Sequence, residues 1–206
     1  AGGFSFEEGL RLVRTRGELM ASAGSKNPGA MAAIMGQDEA KILELCEAVK
    51  DVGAVVPANI NCPGQIVVSG AVAGVNKLVE NCAAAGIKAI PLAVSGAFHS
   101  PLMQFAQAGL AEAIAKTKFN DVEKPVIANV IAEPVTKGAE RAELLVQQRV
   151  SPVRWNDCMN KAMSLGVTQG VEVGSGKVLM GLMRKISRDV KVTPVETIEA
   201  FQALKG

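Results

Sequence analysis

The sequence has 206 residues, of which 49% are apolar and 20% charged, with a formal net charge of +2. That is enough chain to bury a substantial core, and the evenly mixed charge excludes the basic stripe of a nucleic-acid binder. No apolar run reaches the ~18 residues of a membrane span, and Cys46, Cys62, Cys82 and Cys158 are too dispersed to form a zinc site with one histidine, so a reduced, cytoplasmic protein without a secretory leader is expected.

Phe6 to Met20 reads as an amphipathic helix, with Ser5 as N-cap, Glu7 and Glu8 in the first turn, and Leu10, Val13 and Gly17 along one face. Ala23 to Gly29, AGSKNPG, then breaks regular structure and is a candidate hinge. MAAIMG follows as a short strand, DEAKILELCEAVK as a helix opened by Asp38, and VVPANIN and QIVVSG as two strands across the turn Cys62-Pro-Gly64. AVAGVNKLVENCAAAG reads as a helix ending at Gly86, and IKAIPLAV as a closing strand. This order is β-α-β-β-α-β, the split arrangement of ferredoxin-like units. Residues 29–94 are therefore expected to form a small subdomain inserted between residues 1–28 and 95–206 of a larger one.

The remainder alternates as well. A helix is expected from about Pro101 to Lys116, a strand at VIANVIA, helices around Arg141 to Gln148 and Asn156 to Leu165, a strand at TQGVEVG, a helix at VLMGLMRKI and a tail from Ile198 to Leu204. Such alternation implies a parallel sheet covered on both faces, whose sites lie at the carboxyl ends of strands. His99, the sole histidine, follows the strand IKAIPLAV and is placed there for chemistry.

Two apparent motifs fail on inspection. GSGKV lacks the glycine and the Ser or Thr of a phosphate loop, since Val171 and Val178 stand in those places. Gly166-Val-Thr-Gln-Gly170 resembles a nucleophile elbow, but it precedes a strand instead of following one, and a helix C-cap explains it better. Asn59 and Asn61 sit at alternate positions of a strand end, and can be read either as satisfying the Pro-Gly turn or as facing a ligand. Arg16, with Gly17 beside it, could turn a guanidinium toward a ligand.

Together the stretches FxxGLRLVxxRG, GAMAAIMG, NxNxPGQ at 59–65, SxxFHSxLM around His99, SPVRW at 151–155 and EVGSGKVLMGL at 172–182 resemble the malonyl-CoA:acyl carrier protein transacylases, over essentially the whole chain. The resemblance implies an α/β fold: an incomplete α/β-hydrolase-like large subdomain with an inserted ferredoxin-like (βαββαβ) small subdomain. It implies ping-pong acyl transfer of fatty acid biosynthesis, with malonyl-CoA as substrate, the phosphopantetheine arm of acyl carrier protein as partner, and no further cofactor, metal, nucleic acid or membrane. On the matching positions, His99 is the general base, the Gln148 backbone carbonyl orients it, Arg16 binds the malonyl carboxylate, and Phe98, Met20, Asn59 and Asn61 contact substrate.

One departure matters. No GHSxG occurs in the sequence, so the chain is expected to be the C-terminal two-thirds of such an enzyme, with the nucleophile segment ahead of Ala1 and no activity alone. Ser95, Ser100 and Ser175 are poor substitutes, each with an ordinary role at a strand end, a helix start or a glycine turn. Two other readings are a non-catalytic remnant that binds coenzyme A or carrier protein, and a hydrolase with another nucleophile.

Overall fold

The computed structural model describes residues 2–26, 28–94 and 96–204. The chain is an α/β protein whose central element is a four-stranded antiparallel sheet. Its strands are β1 (Gly29–Met35), β2 (Val55–Cys62), β3 (Gln65–Ala71) and β4 (Ala89–Pro91), in the order β2-β3-β1-β4. Helices α2 (Glu39–Glu47) and α3 (Val72–Ala84) form the crossovers. Asp38 starts α2 by accepting the Lys41 N–H at 2.8 Å, which satisfies one of the orphan donors of the first turn. Gly64, at φ +71°, makes the tight return between β2 and β3.

The two faces of this sheet bury different residues. Ala32, Ile34, Val55, Ile60, Ile66 and Val68 pack with Ile42, Cys46, Val75, Leu78 and Cys82 from α2 and α3, which is the main core. Met31, Ala33, Ala58 and Val67 line the opposite face, where Met35 and Phe98 cover them. Phe98 also packs, as Met20 does, against the cluster of Ala23 and Met103, so the second face is where α1 (Phe6–Lys26) and the 3-10 helix Pro101–Ala106 close on the sheet.

Ser5 begins α1 with a reciprocal pair: its Oγ accepts the Glu8 N–H at 3.2 Å while Glu8 accepts the Ser5 N–H at 2.9 Å. The helix runs through Gly24 and Ser25, beyond the expected end at Met20, because nothing before Pro28 forbids helical dihedrals. Part of the expected hinge, Asn27, lies outside the described residues. Helix α4 (Gln107–Ala115) follows the 3-10 turn, and α5 (Gly138–Gln147), α6 (Trp155–Ser164), α7 (Val178–Ile186) and α8 (Ile198–Ala203) complete the chain with four short strands.

Those strands correct the expected parallel sheet. β5 (Val126–Ala128) pairs antiparallel with β6 (Glu133–Val135), and only β7 (Gln169–Val173) and β8 (Lys191–Val195) run parallel. VIANVIA does not continue as one strand, since the Ile131 and Ala132 N–H groups turn back to the Ala128 carbonyl, with Ala132 at φ 55°. β4, ahead of His99, is an antiparallel edge strand, so His99 does not stand at the carboxyl end of a parallel strand among the described residues. The four cysteines are free and buried, and no described helix is long and apolar enough to cross a membrane.

Leu78, with no exposed surface, anchors α3 on the main core. Leu78→Ala should lower the unfolding free energy by about 2–5 kcal/mol in urea titrations. Leu43→Ala, at a residue 53% exposed on α2, should change it by less than about 0.5 kcal/mol.

Candidate active site

The site is built where residues 96–100 lie against the start of β1. Gly96 bridges Pro28, and Gly29 has no room for a side chain: a Cβ there would collide with the backbone N and Cβ of Ala97. Glycine at 29 thus lets the loop approach the sheet closely. Ser100, 1% exposed, donates its hydroxyl to the Ala97 carbonyl at 2.6 Å and ties the turn shut. Between these fixed points His99 adopts φ 58°, the left-handed region that costs a non-glycine residue energy and persists only where its surroundings enforce it.

The imidazole meets the end of α5. His99 Nδ1 lies 3.2 Å from the Gln148 backbone oxygen. Gln148 is the C-cap of α5, and the last carbonyls of a helix have no partner within it. Its own side chain donates to the Ser151 and Pro152 carbonyls at 3.2 and 3.1 Å, which holds the carbonyl in place. Because a carbonyl can only accept, Nδ1 carries the proton and Nε2 keeps its lone pair. Burial is the largest influence on the imidazole and pushes its pKa below the ordinary 6.5; the Gln148 carbonyl opposes this and the positive Arg16 reinforces it.

Arg16, on the exposed side of α1, shares a cleft of about 150 Å³ with Gln148 and Arg149. Phe98 and Met20, both half-buried, pack together with Met103 next to His99. Asn59 pairs with Val67 across β2 and β3, so the two side chains share the sheet face that carries Phe98. Asn61 falls at the second register shift of β2. Neither amide side chain makes a hydrogen bond among the described residues, so the turn does not consume them. Residue 153 joins these parts: its N–H donates to Ala58 O and its carbonyl accepts from Ile60 N–H, both at 2.8 Å, which ties the loop after Gln148 to the outer edge of β2.

The model of the acyl transferase domain matches residues 1–200. This chain belongs to the acyl transferase family. It is similar to the malonyl CoA-acyl carrier protein transacylases of Bacillus subtilis, 44% identical over all of this chain and 67% of the relative, and of a Staphylococcus aureus strain, 42% identical over 95% of this chain and 64% of the relative. Among solved structures it superimposes on the malonyl-CoA:acyl carrier protein transacylase of Xanthomonas oryzae with a TM-score of 0.93 and 38% identity, covering 99% of this chain and 65% of that one. A malonyl-transacylase solved in complex with its type II polyketide acyl-carrier protein gives a TM-score of 0.91 at 36% identity, with coverages of 100% and 67%. The chain spans about two thirds of the length of the relatives it matches.

Of the three serines weighed as substitutes for the nucleophile, the two that are described have ordinary roles. Ser100 spends its hydroxyl on Ala97, Ser175 is exposed on the loop after β7, and Ser95 lies outside the described residues. The motif at 172–182 has a structural job: the buried Glu172 carboxylate accepts the Leu179 and Met180 N–H groups at 2.9 and 2.8 Å, which anchors the positive end of α7. Two residues not singled out for the site from the sequence border it. Met103 is marked by its place four residues after His99 at the start of a helix; Arg149 carries no such mark, because an arginine at a helix end reads as a solvated cation.

His99 resists protonation in the fold more than in the unfolded chain. Its neutral form therefore supports stability above pH ~6.5, and that support falls away as the pH drops through the lower folded value. The ring-proton resonances of the single histidine should titrate with a midpoint below 6.5, and the urea midpoint should fall between pH 7.5 and 5 by more in the native chain than in His99→Gln.

Proposed function

We propose that this chain supplies the base, the carboxylate anchor and the acyl pocket of a malonyl-CoA:acyl carrier protein transacylase. On this reading residues 29–94 are the ferredoxin-like small subdomain, and residues 1–28 and 95–206 belong to an α/β-hydrolase-like large one. The observation that carries the reading is the Gln148–His99 contact, which holds one ring nitrogen and leaves Nε2 basic, unprotonated at neutral pH and beside a cation.

The chemistry follows from that arrangement. Nε2 takes the proton of a serine hydroxyl as its oxygen attacks the malonyl thioester carbonyl; the tetrahedral adduct collapses, the carbon–sulfur bond breaks, and the imidazolium returns the proton to the departing coenzyme A thiolate. The same steps in reverse deliver malonyl to the phosphopantetheine thiol of the carrier protein. A neutral carbonyl suffices to orient the ring, since the imidazolium exists only transiently. Arg16 offers a planar fork to the free carboxylate of the acyl group, a match that lysine lacks. Phe98 and Met20 wall the acyl carbon, and Asn59 and Asn61 face the amides of acyl or pantetheine.

The serine comes, on this proposal, from a segment outside the 206 residues. Two surfaces support this. Phe6, Leu10 and Val13 are 80%, 59% and 67% exposed on α1, although α1 also buries Ala23 on another side, and a helix apolar on two sides is one covered on both. Val171 and Val173 are 50% and 81% exposed on β7, and parallel strands are stable when both faces are covered.

Joining residues 1–206 to the leading third of the Bacillus subtilis relative should give an enzyme that takes malonyl from labelled malonyl-CoA, while the 206-residue chain alone takes no acid-stable label. In the joined enzyme His99→Ala should reduce malonyl loading by several orders of magnitude. Arg16→Ala should abolish malonyl loading and spare acetyl loading, because only the acid loses a partner. Malonyl should be preferred over methylmalonyl by about 1–3 kcal/mol with Phe98 in place. Stoichiometric labelling of the chain alone, or equal loss of malonyl and acetyl loading in Arg16→Ala, would overturn the assignment.

A further inference from the structure

Four residues, Ala97 to Ser100, carry the chain from the sheet into the 3-10 helix, and His99 is the third of them. In four-residue turns that need a positive φ at the third position, as type II turns do, glycine or asparagine ordinarily stands there. Here it is the histidine, at φ 58°. Return to the ordinary right-handed region is a rotation of about 120°, and it would carry the imidazole away from the Gln148 carbonyl that lies 3.2 Å from Nδ1. Something local must oppose that rotation.

The two ends of the turn are fixed by different means. Ala97 is held from outside, since its backbone N and Cβ lie where a Cβ on Gly29 would fall. Ser100 continues into the 3-10 helix through its carbonyl, which accepts the Met103 N–H at 3.1 Å. The Ser100 hydroxyl joins the ends: it donates to the Ala97 carbonyl at 2.6 Å, between residues that are 1% and 0% exposed. At that burial, losing the hydroxyl strands the carbonyl. Ser164 makes a bond of the same reach to the Lys161 carbonyl, at 2.7 Å, but it is exposed at the end of a regular helix. The Ser100 bond instead encloses a residue in the left-handed region. It is complete within residues 29–148, so it needs nothing from a preceding segment.

We propose that Ser100 is a positioning residue for the base: its hydroxyl closes the Ala97–Ser100 turn and so holds His99 in the conformation from which Nδ1 meets the Gln148 carbonyl and Nε2 is left free. The role of His99 as base rests on the acyl-transfer reading; the hold of Ser100 on the imidazole does not. Ser100 acts through the histidine and touches no substrate. Without its hydroxyl the acyl pocket would keep its walls, while the ring would lose the one orientation that the carbonyl selects.

The test uses the 206-residue chain with the ring nitrogens of its single histidine isotopically labelled, read by their resonances and by thermal unfolding. The native chain should carry the proton on Nδ1. Folded Ser100→Ala should shift the ring toward the Nε2–H tautomer, which the Gln148 carbonyl excludes, and Ser100→Cys, which keeps a weaker donor, should lie between the two. Ser164→Ala should leave the tautomer native. If Ser100→Ala fails to fold, the shift of Ser100→Cys from the native chain decides. In the joined enzyme Ser100→Ala should lower the maximal rate of malonyl loading by about tenfold or more with KM for malonyl-CoA unchanged, because a displaced base weakens the transition state and not binding. The proposal is overturned if folded Ser100→Ala keeps the native tautomer, if Ser100→Cys is no nearer to native than Ser100→Ala, or if Ser164→Ala shifts the ring as far. A tautomer shift without a fall in rate would uphold the hold of Ser100 on the ring and overturn the role of His99 as base.

Discussion

The last turn of α5 ends with a carbonyl that its own helix cannot use, and the geometry of the site follows from where that acceptor goes. It could have faced water, as most C-terminal carbonyls do. Instead the Gln148 side chain folds back on the Ser151 and Pro152 carbonyls, the loop beyond is stitched to β2 through residue 153, and the free oxygen is left facing Nδ1 of His99. Three elements distant in sequence are held by one short loop. The His99 backbone is strained at φ 58° and its imidazole still well placed, because both sides are fixed: the Ala97–Ser100 turn on one, the carbonyl on the other.

The central sheet was readable from the sequence because its signals agree with one another. β2 and β3 are rich in β-formers, β1 is a short apolar run between Gly29 and Gly36, α2 opens at an aspartate, and Pro63-Gly64 marks the tight return between β2 and β3, so the order β-α-β-β-α-β follows from local chemistry. The second half resists the same treatment. β5 and β6 have three residues each and β6 and β8 contain Pro134 and Pro194, so pattern has too little length to act on and proline argues against the strand that is there. VIANVIA looks continuous because apolar residues flank both sides of a turn made by backbone hydrogen bonds at Ala128, and the single turn-forming residue that marks it is Asn129.

The site divides along a similar line. That His99 and the Gln148 carbonyl meet is a contact spanning 49 positions, expected from family resemblance and not from any periodicity. The free amides of Asn59 and Asn61 show why a local motif could be read two ways, since a strand end beside a Pro-Gly turn suits both readings until the partners of each amide are known. Arg149 lies beyond sequence reasoning altogether: its burial results from α1 and α4 closing over the end of α5, and long-range packing leaves no trace in the residues QQRV.

The irregularity of β2 gives the small sheet its bearing on the site. A regular strand would alternate, with Ala58 and Ile60 on one face and Asn59 on the other. Register shifts between Pro57 and Asn59 and between Ile60 and Cys62 break that rule, so Ala58 packs toward Phe98 while Ile60 stays in the main core and Asn59 keeps the face of Val67. A bulge costs ladder hydrogen bonds on the inner side of β2, while its outer edge bonds to Val153. Pro57, which could not donate to a central ladder, is tolerated in this edge strand. The bulges turn small and polar side chains toward the cleft, while the place of β2 at the sheet edge leaves the Ala58 carbonyl and the Ile60 N–H to take the loop that carries the histidine's acceptor. The loop that holds the Gln148 carbonyl is thus fixed to a strand to which His99 is not directly bonded, and the same strand turns Ala58 and Asn59 toward Phe98 beside it.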